Sequence, residues 1–599
     1  KEIVGNESQE RMGLVIKEED IALLQEICDR ERAPMYVVGD ITEDHQFKFE
    51  DAETGENPID LQIDDMFGKP PKTIIKDNTV VSRFKPVEYD LDKIPMYLEQ
   101  VLQLESVACK DWLTNKVDRS VTGKIAKQQN AGELQLPLNN LGVVFDKLGL
   151  FNQAIDAYDK AIKINPEFSE GFYNRGQVLN NLQKLPEALS SFELAYKLEP
   201  GIDFIYGDLL HLKMFLCIWD KFEMHLEELI NKIWADQKAV NPFPMLALID
   251  DLELQRKVAE IYINKDYSVK NVKELNPYVN HTKIIVGYFS PDFRDHAVSH
   301  LSAGMFELHN REQFEIHAFY FGEDTKDKIN LRIQEGVDYF HNVQSMSDDE
   351  IISISRSLEI DIAIDLCGYT QNSRRELFAN RLAPIQVNYL GYTATTGADY
   401  MDYIVADSTI ISDSSQYTEK IVYMPNSYMV NDAIGENYDR VFTRKEVGLP
   451  DQGFIFCCFN NHYKILPKVF ESWMRILNEV DDSVLWLAET NEFTTQTLIK
   501  EAQKYGIHKN RIIFAPQMTL REDHLNRIKL ADLFLDTSPF NAHTTASDAL
   551  RMEIPLLTCI GESFVSRVAA SLLNSLNLNE LVVDNIQDYE SMAIMLAKN

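Results

Sequence analysis

From Lys283 onward the chain repeats one rhythm: a short, mostly apolar run, a polar corner, then residues at helical spacing. Runs at 284–289, 314–321, 360–366 and 385–389 predict strands buried on both faces, as parallel strands between helical layers are. A second set follows at 454–459, 483–487, 511–514, 530–536, 555–559 and 581–583, with helical stretches such as 467–478 and 564–573 between them. Two successive open α/β sheets predict two Rossmann-like lobes, with ligand in the crevice beyond the carboxyl ends of the strands.

Upstream the period changes. Gly142, Phe145, Gly149, Phe151, Ala154, Tyr158, Ala161 and Pro166 recur 34 residues later as Gly176, Leu179, Gln183, Leu185, Ala188, Phe192, Ala195 and Pro200. Small residues stand where two helices cross closely, large ones fill the groove, and proline stops the second helix. This is the pattern of tetratricopeptide repeats, and a third, degenerate unit is expected around Trp219. So few repeats must lean on the next domain to cover their apolar faces. Residues 1–137 read instead as an α+β piece: strands at 33–39 and 47–50, a helix at 97–115 and a loop at 118–123.

The 599 residues exceed one ordinary core, in keeping with several domains. The balance of 59 Lys+Arg against 94 Asp+Glu, net −35, argues against a non-specific nucleic-acid or anionic-membrane binder. Seven scattered cysteines without a CxxC pair form neither a disulfide framework nor a zinc site, and no apolar run reaches about 18 residues. The expected setting is cytoplasmic. The first residue is not Met, which suggests that the chain begins inside a longer sequence.

No GxGxxG, Walker-A loop or HExxH is present, so nicotinamide, P-loop and zincin chemistry lack a motif. The useful residues follow strands. Asn461, His462 and Lys464 come directly after the 454–459 run, where a lysine can neutralise a diphosphate leaving group or simply be solvated. His543, Thr544 and Thr545 precede a helical run at 546–551, where hydroxyls and unpaired N–H groups make an anion site or an ordinary cap. Asp548 can bind sugar hydroxyls or favour the helix dipole, and Gly561-Glu562-Ser563 forms another strand-to-helix corner. In the first lobe His296 is a candidate general base or acceptor-orienting group. His300 four residues on raises a metal pair, which no nearby Glu completes as HExxH.

The stretches GYFSPDFRDHAVSHL, FNNHYK, HLNRIKLADLFLDTSPFNAHTTASDAL and GESFVSRVAASLL, together with the repeats, resemble the protein O-GlcNAc transferase family, whose relatives include the plant SPINDLY proteins. The resemblance spans roughly 283–585 and implies a GT-B fold. It further implies a UDP-GlcNAc donor, inverting transfer to Ser or Thr hydroxyls and no bound metal or other cofactor. By resemblance, Lys464 stabilises the departing UDP phosphates and His296 is a catalytic candidate. Asn461, Arg521, His524, His543, Thr544, Thr545 and Asp548 would bind the nucleotide sugar, and the repeats would bind acceptor polypeptides. Nucleic acid and membrane are not expected partners, and a homo-oligomer stays open. Asn461 stands at the family's usual glutamine, Arg521 where lysine is frequent, and Thr393-Ala394 where proline and glycine often follow LGY. The rival readings are a weak or inactive repeat scaffold, and an O-transferase using another nucleotide sugar such as GDP-fucose.

The first region resembles a different enzyme, phosphoribosylformylglycinamidine synthase, through RERAPMYVVGDITEDHQF, PIDLQIDDMFGKPPK and DRSVTGKIAKQQNAG. The fragment lacks the glutaminase residues, so no synthase activity is expected of it. The expected organisation is multidomain: an α+β fragment at 1–137, all-α repeats at 138–235, a helical linker at 236–282, and GT-B lobes at 283–440 and 441–599. The second lobe is expected to stop short of the family's further helices, which would loosen the crevice.

Overall fold

A computed structural model describes residues 17–30, 46–50, 59–62, 135–264, 281–432 and 439–598, with isolated positions between them. The chain divides into two units, Lys1–Cys109 and Lys110–Asn599. In the first, the described residues form a helix, Ile21–Arg30, and an antiparallel hairpin of β1 (Gln46–Phe49) and β2 (Ile59–Gln62), with Phe49 opposite Ile59. The alternation at 47–50 thus becomes a strand one residue earlier. The expected helix at 97–115 and loop at 118–123 lie outside the described residues, as does the strand at 33–39 but for Val37.

The second unit opens with paired helices, Gln135–Lys147 with Phe151–Ile164 and Ser169–Asn181 with Leu185–Leu198. The repeated small and large positions meet as the spacing requires: Tyr158 covers Gly142 and Phe192 covers Gly176, all four buried. A Cβ on Gly176 would stand 2.7 Å from the Phe192 ring, which is itself 1% exposed and has nowhere to move. Gly176→Val is therefore expected to cost about 1–3 kcal/mol in urea unfolding, the usual overpacking penalty. The third pair, Ile205–Phe215 and Phe222–Trp234, leans on the second lobe: Trp219 packs 5.2 Å from Phe470, and Phe215 lies 4.9 Å from Tyr463.

Two all-parallel sheets follow. The first contains β3 (Ile284–Ser290), β4 (Phe314–Tyr320), β5 (Tyr339–Asn342), β6 (Ile362–Asp365), β7 (Ile385–Asn388), β8 (Tyr403–Asp407) and β9 (Lys420–Met424). Its order is β5-β4-β3-β6-β7-β8-β9. The second contains β10 (Ile455–Cys458), β11 (Val484–Ala488), β12 (Ile512–Ala515), β13 (Leu533–Leu535), β14 (Leu556–Cys559) and β15 (Val582–Val583), in the order β12-β11-β10-β13-β14-β15. In each sheet the chain builds outward one way from its first strand and then returns to build the other way. The order reverses beside β3 and beside β10.

Three strands of the two parallel sheets had no counterpart in the apolar runs. β5 and β9 are edge strands with largely exposed or half-exposed residues, and an edge needs backbone pairing more than an apolar face. β8 is short and half buried. Conversely, 530–536 shrinks to β13, because the N–H groups of Leu530 and Ala531 still bond back to Arg527 and Ile528. The run at 564–573 divides into a 3₁₀ turn, Phe564–Ser566, and a helix, Val568–Ser575. Arg567 stands between them with its guanidinium on the Thr409 and Gly561 carbonyls.

The lobes meet through buried polar contacts. At the end of β8, Asp407 accepts N–H bonds from Thr409, Ile410 and Tyr428 and a 2.6 Å bond from the Ser571 hydroxyl of the second lobe. The helix Ile586–Lys598 closes the underside of the second sheet: Tyr589, 1% exposed, receives the Trp473 N–H and donates to the Asp536 carbonyl.

Candidate functional site

The four β10 side chains are wholly buried, so the first polar residues after it must emerge at the sheet edge. A 3₁₀ turn, His462–Lys464, reverses the chain before Pro467 opens the helix Pro467–Glu479, a position where proline's missing N–H costs nothing. The half-buried Lys464 reaches across to the neighbouring strand end: its Nζ donates to the Asn541 carbonyl at 3.0 Å and sits 3.9 Å from the centre of the Phe540 ring.

The segment after β13 folds around a carboxylate. Asp536 accepts from the Thr537 and Ala542 N–H groups at 2.7 and 2.6 Å and from the Thr558 hydroxyl at 2.7 Å. Asn460, 1% exposed, ties the two strand ends together by donating to Thr537 at 2.7 Å while accepting from the Thr545 hydroxyl. The helix is Thr544–Arg551, beginning two residues before the expected 546, because the N–H groups of Ala546 and Ser547 bond back to the His543 carbonyl. His543 is the N-cap but makes no side-chain capping bond, which leaves the Thr544 and Thr545 N–H groups as helix-start donors for an anion.

Burial sets the charge states here. It pushes Lys464 down to about 8, while the nearby Asp536 favours the ammonium. Burial likewise pushes Asp536 up to about 7 despite its hydroxyl and N–H donors. His543 is held well below its usual range, first by burial and then by the Lys464 charge, so its imidazole is neutral. Near neutrality the cluster presents one ammonium and a helix start to whatever occupies it.

Arg521, His524 and Asp548 form a second group. Arg521 grips Asp548 with both terminal nitrogens, at 2.6 and 3.0 Å, and Asp548 is 5% exposed. His524 accepts from Arg527 at 2.9 Å and meets the Phe459 ring edge-on at 5.3 Å; burial and two arginine charges push it down to about 4. Asn461 is exposed and makes no capping bond. The Gly561–Ser563 corner is already filled: Asp250 accepts from the Glu562 and Ser563 N–H groups at 2.8 and 2.9 Å and from the Ser566 hydroxyl.

His296 follows β3 in the first lobe, and its contacts among the described residues stay within that lobe. It caps the helix Ala297–Leu308, its Nδ1 accepting from the Val298 N–H at 3.3 Å, with Asp292 3.7 Å away. His300 turns instead to Asp295 at 2.6 Å, so the two histidines have separate partners. Among the described residues no group of three or more His, Cys, Asp or Glu could hold a metal ion, and no helix is long and apolar enough to cross a membrane.

Asp536, Phe540 and Tyr463 were not singled out from the sequence. Asp536 carried a usable signal, a carboxylate ending a buried apolar run; the two aromatics looked like any core residue.

Comparison with known proteins bears on the same regions. The sequence model of glycosyl transferase family 41 matches residues 255–437 and 433–599, and tetratricopeptide repeat models match 137–168 and 157–190. A probable UDP-N-acetylglucosamine–peptide N-acetylglucosaminyltransferase SEC of Arabidopsis thaliana is 33% identical over 415 residues, covering 65% of this chain and 42% of that protein. A UDP-N-acetylglucosamine–peptide N-acetylglucosaminyltransferase of Caenorhabditis elegans is 26% identical over 431 residues, covering 53% and 37%. The chain thus spans well under half the length of these relatives. A solved Thermobaculum terrenum O-GlcNAc transferase shares the fold with a TM-score of 0.65 at 22% identity, covering 79% of this chain and 91% of that one. None of these findings supports the purine-synthase resemblance of the first region.

Proposed function

The chain belongs to glycosyl transferase family 41, and we propose that it moves N-acetylglucosamine from UDP-GlcNAc to serine or threonine hydroxyls of polypeptides, inverting the anomeric carbon. One observation carries this reading. Lys464 and the helix start at His543–Thr545 lie at the ends of β10 and β13, the paired strands where the sheet order reverses, and a 3.0 Å bond from Lys464 to Asn541 links them. Ligands of open α/β sheets bind outside the strand ends at such a reversal.

In the proposed reaction the acceptor hydroxyl oxygen attacks the anomeric carbon as the bond from that carbon to the phosphate oxygen breaks, and the hydroxyl proton passes to a phosphate oxygen of the departing UDP. Negative charge grows on UDP as it leaves. The Lys464 ammonium and the Thr544 and Thr545 N–H groups meet that charge with dipoles already in place. The Asp548–Arg521–His524 group would hold the nucleoside. Each Asp548 oxygen accepts one guanidinium bond and keeps lone pairs for ribose hydroxyls.

His296 opens the corresponding reversal of the first sheet. Because its Nδ1 accepts from a backbone N–H, its neutral form carries the proton on Nε2. It therefore serves as a donor that orients acceptor or phosphate rather than as the base. The repeats would present the acceptor polypeptide, and the reaction is proposed to proceed without a bound metal, in the cytoplasm.

Incubation with UDP-GlcNAc and a Ser/Thr peptide library, read by mass spectrometry, tests the proposal; a mass gain of one N-acetylhexosamine is expected. A gain only with GDP-fucose would move the donor assignment. Tight UDP binding without any gain would favour the scaffold reading. The likeness of the first region to the purine enzyme rests on the quoted stretches alone.

A further inference from the structure

We infer that Phe540 is a positioning residue for this transfer: its buried ring, set between Lys464 and His543, holds the Lys464 ammonium at the strand ends where the pyrophosphate would lie. The inference rests on the proposed function and deepens it. Phe540 is 4% exposed, so its ring does not line an open surface. The ammonium stands 3.9 Å from the ring centre, well inside the roughly 6 Å within which an aromatic face attracts a cation.

Three neighbours fix the ring. His543 lies 4.9 Å away, Tyr463 meets it edge-on at 6.1 Å, and Phe243 from the helix Pro242–Leu248 meets it edge-on at 6.0 Å. The Thr537 hydroxyl bonds the Phe540 carbonyl at 2.6 Å and holds its backbone. An ammonium has three N–H groups. One is used on Asn541 and the ring covers another side, so the remaining donor direction is set by two rigid contacts. The charged or titratable groups facing Lys464 are Asp536, Cys458 and His543. Asp536 alone brings an opposite charge, and it is committed to three short bonds from its own loop and from Thr558. The aromatic face is the further element that favours the charged lysine in a site where burial opposes it. Tyr463 also packs against His211 and Phe215, so the same ring cluster joins the repeat end to the site.

Phe540→Leu keeps an apolar side chain and removes the π face. Two effects are expected: kcat falls about tenfold with the acceptor KM unchanged, and the alkaline limb of UDP binding moves about one pH unit lower, since one pKa unit corresponds to a tenfold change. Phe540→Tyr, which keeps the face, should restore both. In a Lys464→Met background Phe540→Leu should add no further loss of UDP affinity. A wild-type pH limb in Phe540→Leu, or an equal loss with Lys464 already gone, would overturn the inference. If the leucine variant does not fold, Phe540→Met carries the same expectation. The UDP titration needs no acceptor, so it judges Phe540 even if no sugar transfer is found, which would count against the proposed function instead.

Discussion

Lys464→Met is expected to lower kcat by about 10²–10³-fold, the loss seen when one preorganised donor to a developing negative charge is removed. The fold should survive. The half-buried lysine is desolvated against its preference, which pushes it down to about 8, so an unbranched apolar replacement relieves a desolvation cost even as Asp536 loses a partner. Thermal unfolding should show the protein intact while single-turnover kinetics show the loss. The same group sets a pH dependence. The ammonium is required, so kcat/KM, which reports the free enzyme, should decline as pH rises past about 8. A Lys464→Met protein with wild-type kcat would remove the lysine from the mechanism.

Asp407→Ala is expected to be the most damaging change to stability, about 3–5 kcal/mol in urea unfolding. Asp407 is 0% exposed and satisfies three backbone N–H groups within its lobe, and those of the buried Ile410 and Tyr428 would be left unpaired away from water. It also holds the Ser571 hydroxyl of the other lobe. Ser571→Ala separates the two roles. It removes only the bridging bonds and should cost about 1 kcal/mol of stability. Its effect on kcat/KM should be larger, because a displacement of about 1 Å between lobes can lower a rate roughly 100-fold. Equal, small effects of Ser571→Ala on both measures would show that the bridge does not set the lobe geometry.

Much of the architecture could be read along the chain, for identifiable reasons. The 34-residue recurrence of Gly142 and Tyr158 as Gly176 and Phe192 is a packing rule written twice, and the structure closes both contacts in the same way. The runs behind β3 and β10 are apolar on both faces because helices cover both sides, while β4, β6 and β7 bury polar residues such as His317, Asp365 and Gln386 among their apolar ones. The edge strands β5 and β9 escaped because pairing along one side asks little of their side chains. The corner at Gly561 looked as open as the one before Thr544, but Asp250, some 300 residues earlier in the chain, occupies it.

The sequence by itself determined the repeat, the succession of two α/β lobes and the polar residues that follow the strands, since each depends on local periodicity or on a short segment. Tertiary structure alone decided that β10 and β13 lie side by side, that Asp548 is paired with Arg521, and that Phe540 lies beneath the Lys464 ammonium. Those are contacts between segments from 27 to 77 residues apart. No local preference of either partner encodes such a contact; it arises when separate elements bury their apolar faces together and bring their polar ends to the same edge.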